Sequence, residues 1–133
     1  MAQLHMVTDT HLRSLLDYGS SDFPFKYYSD DLTQYGQQTI DWHWHRSFEV
    51  TFVRSGCVTL SVMSKNYVLN QGDLLFLNSG VIHRFSAKIH GSLQNLLFAP
   101  EFISPPESRI YRDCVAPVLQ SGPMFFIIRA DSP

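Results

Sequence analysis

Cysteine is scarce in this chain: Cys57 and Cys114 are the whole supply in 133 residues. Two thiols make no disulfide framework, which points to a reducing compartment and to buried, small apolar roles for both. Positive charge is also sparse, with ten Lys and Arg against twelve Asp and Glu and a formal net charge of −2. The basic residues are scattered singly, so a duplex-gripping surface within this segment is excluded. No stretch approaches the ~18 apolar residues of a membrane span. Residues 1–16 carry His5, Asp9, His11 and Arg13, which leaves no apolar core for a signal peptide. A cytoplasmic protein without membrane contact is expected. Gly-rich phosphate loops and nucleophile elbows are missing too, and no catalytic residue is assigned.

What is present is aromatic and β-forming. Aromatics make up 14% and hydrophobic residues 44% of the chain, enough for one barrel or sandwich core. From Phe25 to about Ala99, short apolar or alternating runs are separated by turn chemistry at Ser55-Gly56, Ser64-Lys65, Asn70-Gln71-Gly72-Asp73 and Asn78-Ser79-Gly80. Many short strands at this spacing predict an antiparallel sandwich or barrel. Two helical patterns flank it. Thr8 or Asp9 can cap a short helix carrying Leu12, Leu15 and Leu16, with Gly19 as its stop, on the exterior or against a second subunit. Tyr111, Cys114, Val115 and Val118 recur at helical spacing until Pro117 ends or kinks the run. The expected layout is an arm over residues 1–24, a barrel over 25–103 and a helical and extended segment over 104–133. The abrupt end at Pro133 reads as a cut before a further segment.

Chemistry concentrates at His43-Trp44-His45-Arg46-Ser47-Phe48-Glu49. If this run is a strand, alternation sends His43, His45 and Glu49 to one face, where burial is costly unless they are bonded or ligated. That face should line a pocket. The neighbouring Trp42, Trp44, Phe48 and Phe52 are expected in the core or between sheets. Tyr27, Tyr35 and Phe85 are the aromatics placed to stack on a ligand, whereas Arg54 and Arg84 read as solvated charges, and His5, His11 and His90 as surface residues. A fourth candidate ligand, His83, begins a later strand after Gly72 and Gly80.

The two blocks together resemble the two motifs of the cupin superfamily. Gly36, His43, His45, Glu49 and Gly56 match the first, with one extra residue between Gly36 and His43. Gly72, Gly80 and His83 match the second, while Asn78 replaces a proline and Ala87 an asparagine. This resemblance implies an all-β, double-stranded β-helix (jelly-roll) barrel with short flanking helices at both ends. It also implies that His43, His45, Glu49 and His83 can hold one divalent metal (Zn, Ni, Fe or Mn), imidazole and carboxylate suiting all four ions. The same four residues can instead line a metal-free pocket, bonded to one another, to water or to an effector.

The phrasing from Ile40 to Gly56, from Tyr67 to Asn78 and from Leu97 to Ile103 is similar to the sensor domain of AraC-type bacterial transcription regulators. That likeness implies a non-enzymatic, dimeric receptor. Its effector, a sugar or related metabolite, would sit among His43, His45, Glu49, His83, Tyr35 and Phe85. DNA would be bound only by helix-turn-helix units of a C-terminal domain outside this chain. The alternative reading is a small metal-dependent cupin enzyme, a dioxygenase or sugar isomerase.

Overall fold

The computed structural model describes residues 3–16 and 18–131. Eight strands form among them: β1 (Phe25–Asp31), β2 (Thr39–His43), β3 (Phe48–Val62), β4 (Lys65–Asn70), β5 (Leu74–Leu77), β6 (His83–Ser86), β7 (Gly91–Phe98) and β8 (Phe125–Ile128). All pair antiparallel in two layers. One runs β1-β7-β3-β5-β8, and the other joins β4, β3, β6 and β2. This is the expected all-β jelly roll.

The strand β3 belongs to both layers. Its first half pairs with β5 and β7, its second half with β4 and β6. The expected turn at Ser55-Gly56 is therefore a corner inside one 15-residue strand. A register shift between Val53 and Ser55 supplies the bend, as bulges do at barrel corners. Gly56 makes the bend possible. Its φ is +78°, and a Cβ there would lie 2.3 Å from the His90 carbonyl oxygen, which already accepts the Cys57 N–H at 3.1 Å. A Gly56→Ala change is expected to cost about 2 kcal/mol, visible as a thermal midpoint lowered by several degrees. An unchanged midpoint would show that the corner relaxes freely.

Between the layers, Val53, Val58, Leu60, Leu69, Leu75, Leu77 and Leu93 form a dry core, each essentially inaccessible to solvent. Alternation along the strands places them there, but it does not govern the flanks. Residues 3–16 contain no helix. Asp9 turns its carboxylate onto the Arg13 and His11 amides, Leu12 sits at φ +67°, and Thr8 bridges Ser14 in a tight hairpin. An Asx-type turn outcompetes the helix cap when no core awaits the leucine stripe. Leu15 and Leu16 remain exposed.

At the other end Pro117 does not end the helical run. The backbone widens to a π-turn at Tyr111–Val115, where the Ala116 N–H bonds back to Tyr111, and continues as α1 (Ala116–Ser121). Widening the turn is a known way to absorb a proline's missing donor. The chain then returns as β8, which pairs with β5. A strand of the segment expected outside the barrel thus completes its sheet. Both cysteines are exposed and free, so the expectation of buried thiols fails: Cys57 faces outward at the β3 corner, and Cys114 lies on the solvent side of the π-turn. No helix among the described residues is long and apolar enough to cross a membrane.

Candidate functional site

His43, His45 and Glu49 do converge, though not from one strand. β2 stops at His43, the chain crosses over at 44–47, and Glu49 enters the other layer on β3, opposite Leu77 and Leu97. His83 is the cross-strand partner of His43 on β6, which sets the two rings 4.2 Å apart by centroid. One ring nitrogen from each of His43, His45 and His83 lies within 4.8 Å of the others. All three rings and Glu49 are buried.

The tautomers follow from the backbone. His43 Nδ1 lies 2.7 Å from the Asp41 carbonyl, His45 Nδ1 2.9 Å from that of Ser47, and His83 Nδ1 2.8 Å from that of Val81. A carbonyl accepts only, so each Nδ1 carries the proton and each Nε2 offers its lone pair inward. Glu49 Oε1 stands 3.0 Å from His45 Nε2 and 3.7 Å from His83 Nε2. Those contacts set acceptors against acceptors unless a positive charge lies among them. His83 Nε2 is buried without a hydrogen-bond partner. A proton on His45 answers one contact, whereas a divalent cation answers the whole cluster, and the donor set fits Zn, Ni, Fe or Mn.

Burial opposes the Glu49 charge, yet the imidazoles of His45 and His83 beside it outweigh that cost and hold the carboxyl well below its ordinary range. Burial, reinforced by the neighbouring His83, pushes His43 down to about 3. With the folded value below the unfolded 6.5, the unfolded chain takes up the proton first. The stability contributed by neutral His43 is complete above pH 6.5 and drains as pH falls toward 3. Between pH 6.5 and 5 the metal-free chain is expected to lose about 2 kcal/mol. Urea unfolding at the two pH values in chelator checks this, and His43→Gln should flatten the slope.

A polar chain leads away from the cluster. The Thr51 hydroxyl lies 2.5 Å from Glu49 Oε2 and 2.7 Å from Asn95 Oδ1. Asn95 Nδ2 donates to Asp30 at 2.9 Å, and the Tyr35 hydroxyl donates to the same carboxylate at 2.8 Å. Burial raises Asp30 against these bonds. The cavity above holds about 90 Å³ and is lined by Tyr35, Phe85, His43, Glu49, Asp30, Asn95, Tyr28, Ile40 and Leu97, with Met6, Leu16 and Tyr18 coming from the N-terminal arm. Tyr35 and Phe85 are thus among the residues that line a cavity.

Asp30, Thr51 and Asn95 escaped sequence reasoning. Thr51 stands two positions beyond Glu49, and that alternation was the available signal. Asp30 and Asn95 become neighbours only through the pairing of β1 with β7. Tyr27 points outward. Trp42 and Trp44 do not enter the core: each lies half-buried beneath an arginine, Arg84 and Arg13, at 5.1 and 5.4 Å. They alternate with the histidines and so take the outer face. Phe48 is buried, Phe52 is exposed, and Arg84 is stacked rather than freely solvated.

Asn78 is the other residue whose role was hidden. Its Nδ2 donates to the carbonyls of Val118 and Pro123 at 2.8 and 3.0 Å, and its backbone N–H donates to Met124 at 2.8 Å. This residue fastens the C-terminal segment to the mouth of the barrel, beside Gly80, whose N–H bonds the His45 carbonyl.

Residues 32–94, just under half of the chain, match the family model described as Cupin domain. A Cupin 2 conserved barrel domain protein from Salinispora arenicola CNS-205 superposes with a TM-score of 0.51 at 15% identity, over 84% of this chain and 87% of that one. An HTH_3 family transcriptional regulator from Vibrio cholerae gives 0.51 at 22% identity, over 65% of this chain and 48% of that one. In sequence, the chain is 23% identical over 128 residues to the uncharacterized HTH-type transcriptional regulator YdeC of Bacillus subtilis (strain 168). That alignment takes in 95% of this chain but only 43% of the relative.

Proposed function

We propose that this chain is the small-molecule sensing domain of an AraC-type transcriptional regulator. A sugar or related metabolite enters the cupin barrel and controls helix-turn-helix units in a domain beyond it, within a cytoplasmic homodimer. The alignment with an HTH-type regulator more than twice as long supports this reading. The observation that carries it is that the cavity is closed by the N-terminal arm, whose Met6, Leu16 and Tyr18 line it beside barrel residues. An occupant therefore touches a flank through which a receptor can report, and it acts on that flank and the barrel together. It shifts their equilibrium only by its different affinity for the two arrangements.

The lining restricts the occupant. Two carboxylates, Glu49 and Asp30, face the cavity, and no Lys or Arg among the described residues lines it, so a ligand rich in hydroxyl donors suits it better than an anion. At about 90 Å³ the space holds roughly three waters, below the several hundred Å³ of usual ligand pockets. A sugar must therefore displace the arm side chains. A divalent ion, held by His43, His45 and His83 with Glu49 alongside, would supply an anchor for a ligand oxygen.

The same three histidines favour a second reading, a metal-dependent cupin enzyme. The gene beyond the Pro133 codon separates the two. Roughly 100 further residues with two helix-turn-helix patterns support the regulator, and a stop codon there overturns it. With the full protein, a neutral sugar panel should raise the thermal midpoint while sugar acids leave it unmoved.

A further inference from the structure

Asp30 lines the cavity with no countercharge among the described residues. Alternation along β1 turns Tyr28 and Asp30 inward and leaves Tyr27, Ser29 and Asp31 exposed. The inward carboxylate is held by two neutral donors, the Tyr35 hydroxyl on Oδ1 and the Asn95 amide on Oδ2. Burial and the like charge of Glu49 oppose its ionisation. Asp73, Glu101 and Asp113 each meet an arginine within 3.1 Å, and Glu49 faces the imidazoles of His45 and His83. A buried charge is costly unless it is paired, and Asp30 alone in the cavity lacks such a neighbour. We propose that the cavity takes a compact polyhydroxylated amine, an amino sugar, whose ammonium pairs with Asp30. This inference deepens the sensing function proposed above and rests on it.

The walls select that occupant. The rings of Tyr18, Tyr28, Tyr35 and Phe85 border the same space, and an ammonium set against aromatic faces and a carboxylate gains from both. Burial raises the Tyr18 and Tyr35 hydroxyls above their ordinary range, and the Asp30 charge adds to the rise at Tyr35. Both phenols therefore keep their protons and stay neutral. Asp30 still has room for a ligand, because a carboxylate offers about four lone-pair sites and two are in use. At the other end of the polar chain, Thr51 and Asn95 separate Asp30 from Glu49, which leaves the ligand's hydroxyls the side nearer the histidines. A neutral sugar satisfies that side and leaves Asp30 uncompensated. A simple diamine does the reverse, so one ammonium on a polyhydroxylated ring fits best.

Titration calorimetry with the full protein tests it, setting glucosamine, galactosamine and mannosamine each beside its neutral parent sugar, in a buffer that keeps the amine protonated. One amino sugar or more should bind at least about 10-fold more tightly than its parent, the margin of a charge-assisted hydrogen bond. In Asp30→Asn that preference should vanish, whatever happens to the absolute affinities. A merely structural role for Asp30 would weaken amine and parent alike and keep the preference. Equal binding of amine and parent by the wild type overturns the amine proposal and leaves sugar sensing standing, whereas no binding by any sugar overturns both. A preference that survives Asp30→Asn also overturns the proposal, because the amine then pairs with Glu49 or ligates a metal. Circular dichroism checks the variant's fold, and Asp30→Ser takes its place if the asparagine does not fold.

Discussion

Replacing His83 by alanine is expected to lower divalent-metal affinity by at least about 100-fold. Loss of a residue that merely supports a ligand already costs 10- to 100-fold, and here one of three converging imidazoles disappears. The wild type should bind one ion per chain. Its thermal midpoint should rise with Zn, Ni, Mn or Fe and fall on chelation, because an ion that binds only the folded state stabilises it by mass action. Elemental analysis beside titration calorimetry measures the affinity. His45→Ala should behave alike, while leaving Glu49 without its 3.0 Å neighbour. Substoichiometric metal in the wild type, or no loss in either variant, sinks the assignment. The sensing proposal would survive that result, since the polar chain from Glu49 to Tyr35 exists without an ion.

Asn78→Pro, which installs the residue more usual at this place in the motif, should destabilise the chain by about 4 kcal/mol. Proline removes the N–H that bonds Met124 and the amide that bonds Val118 and Pro123. Three hydrogen bonds at about 1 kcal/mol each, with part-buried carbonyls left unsatisfied, reach that figure. Asn78→Ala, which keeps the backbone N–H, should lose about half as much. Denaturant unfolding gives the magnitudes. Limited proteolysis gives the location, with cleavage rising first between residues 104 and 124. Equal losses in the two variants would show that the backbone bond contributes nothing. If the C-terminal segment carries the signal onward, Asn78→Ala should also uncouple effector binding from DNA binding in the full regulator.

The departures from the motif are where sequence and structure part most clearly. Asn78 reads as a defect when a proline is expected, and its role appears only once β8 and α1 return to the barrel mouth. The N-terminal leucine stripe has helical spacing but nothing to bury it, so a local turn at Asp9 prevails. Cys57 and Cys114 look like small hydrophobes and face solvent, because a corner and a π-turn rotate them outward. The two tryptophans look like core and instead lie under arginines, since the histidines take the inner positions.

The strands, their turns and the inward set of His43, His45, Glu49 and His83 were determined by the sequence itself. Alternation, turn residues and ligand chemistry act over a few neighbours and need no knowledge of the rest of the chain. Only the tertiary structure decided that these ligands arrive from two opposed layers. Strand pairing brought Asp30, Thr51 and Asn95 into one polar chain, and carbonyls near each histidine turned its Nε2 inward. Such features depend on which distant segments pair, and no local pattern encodes that choice.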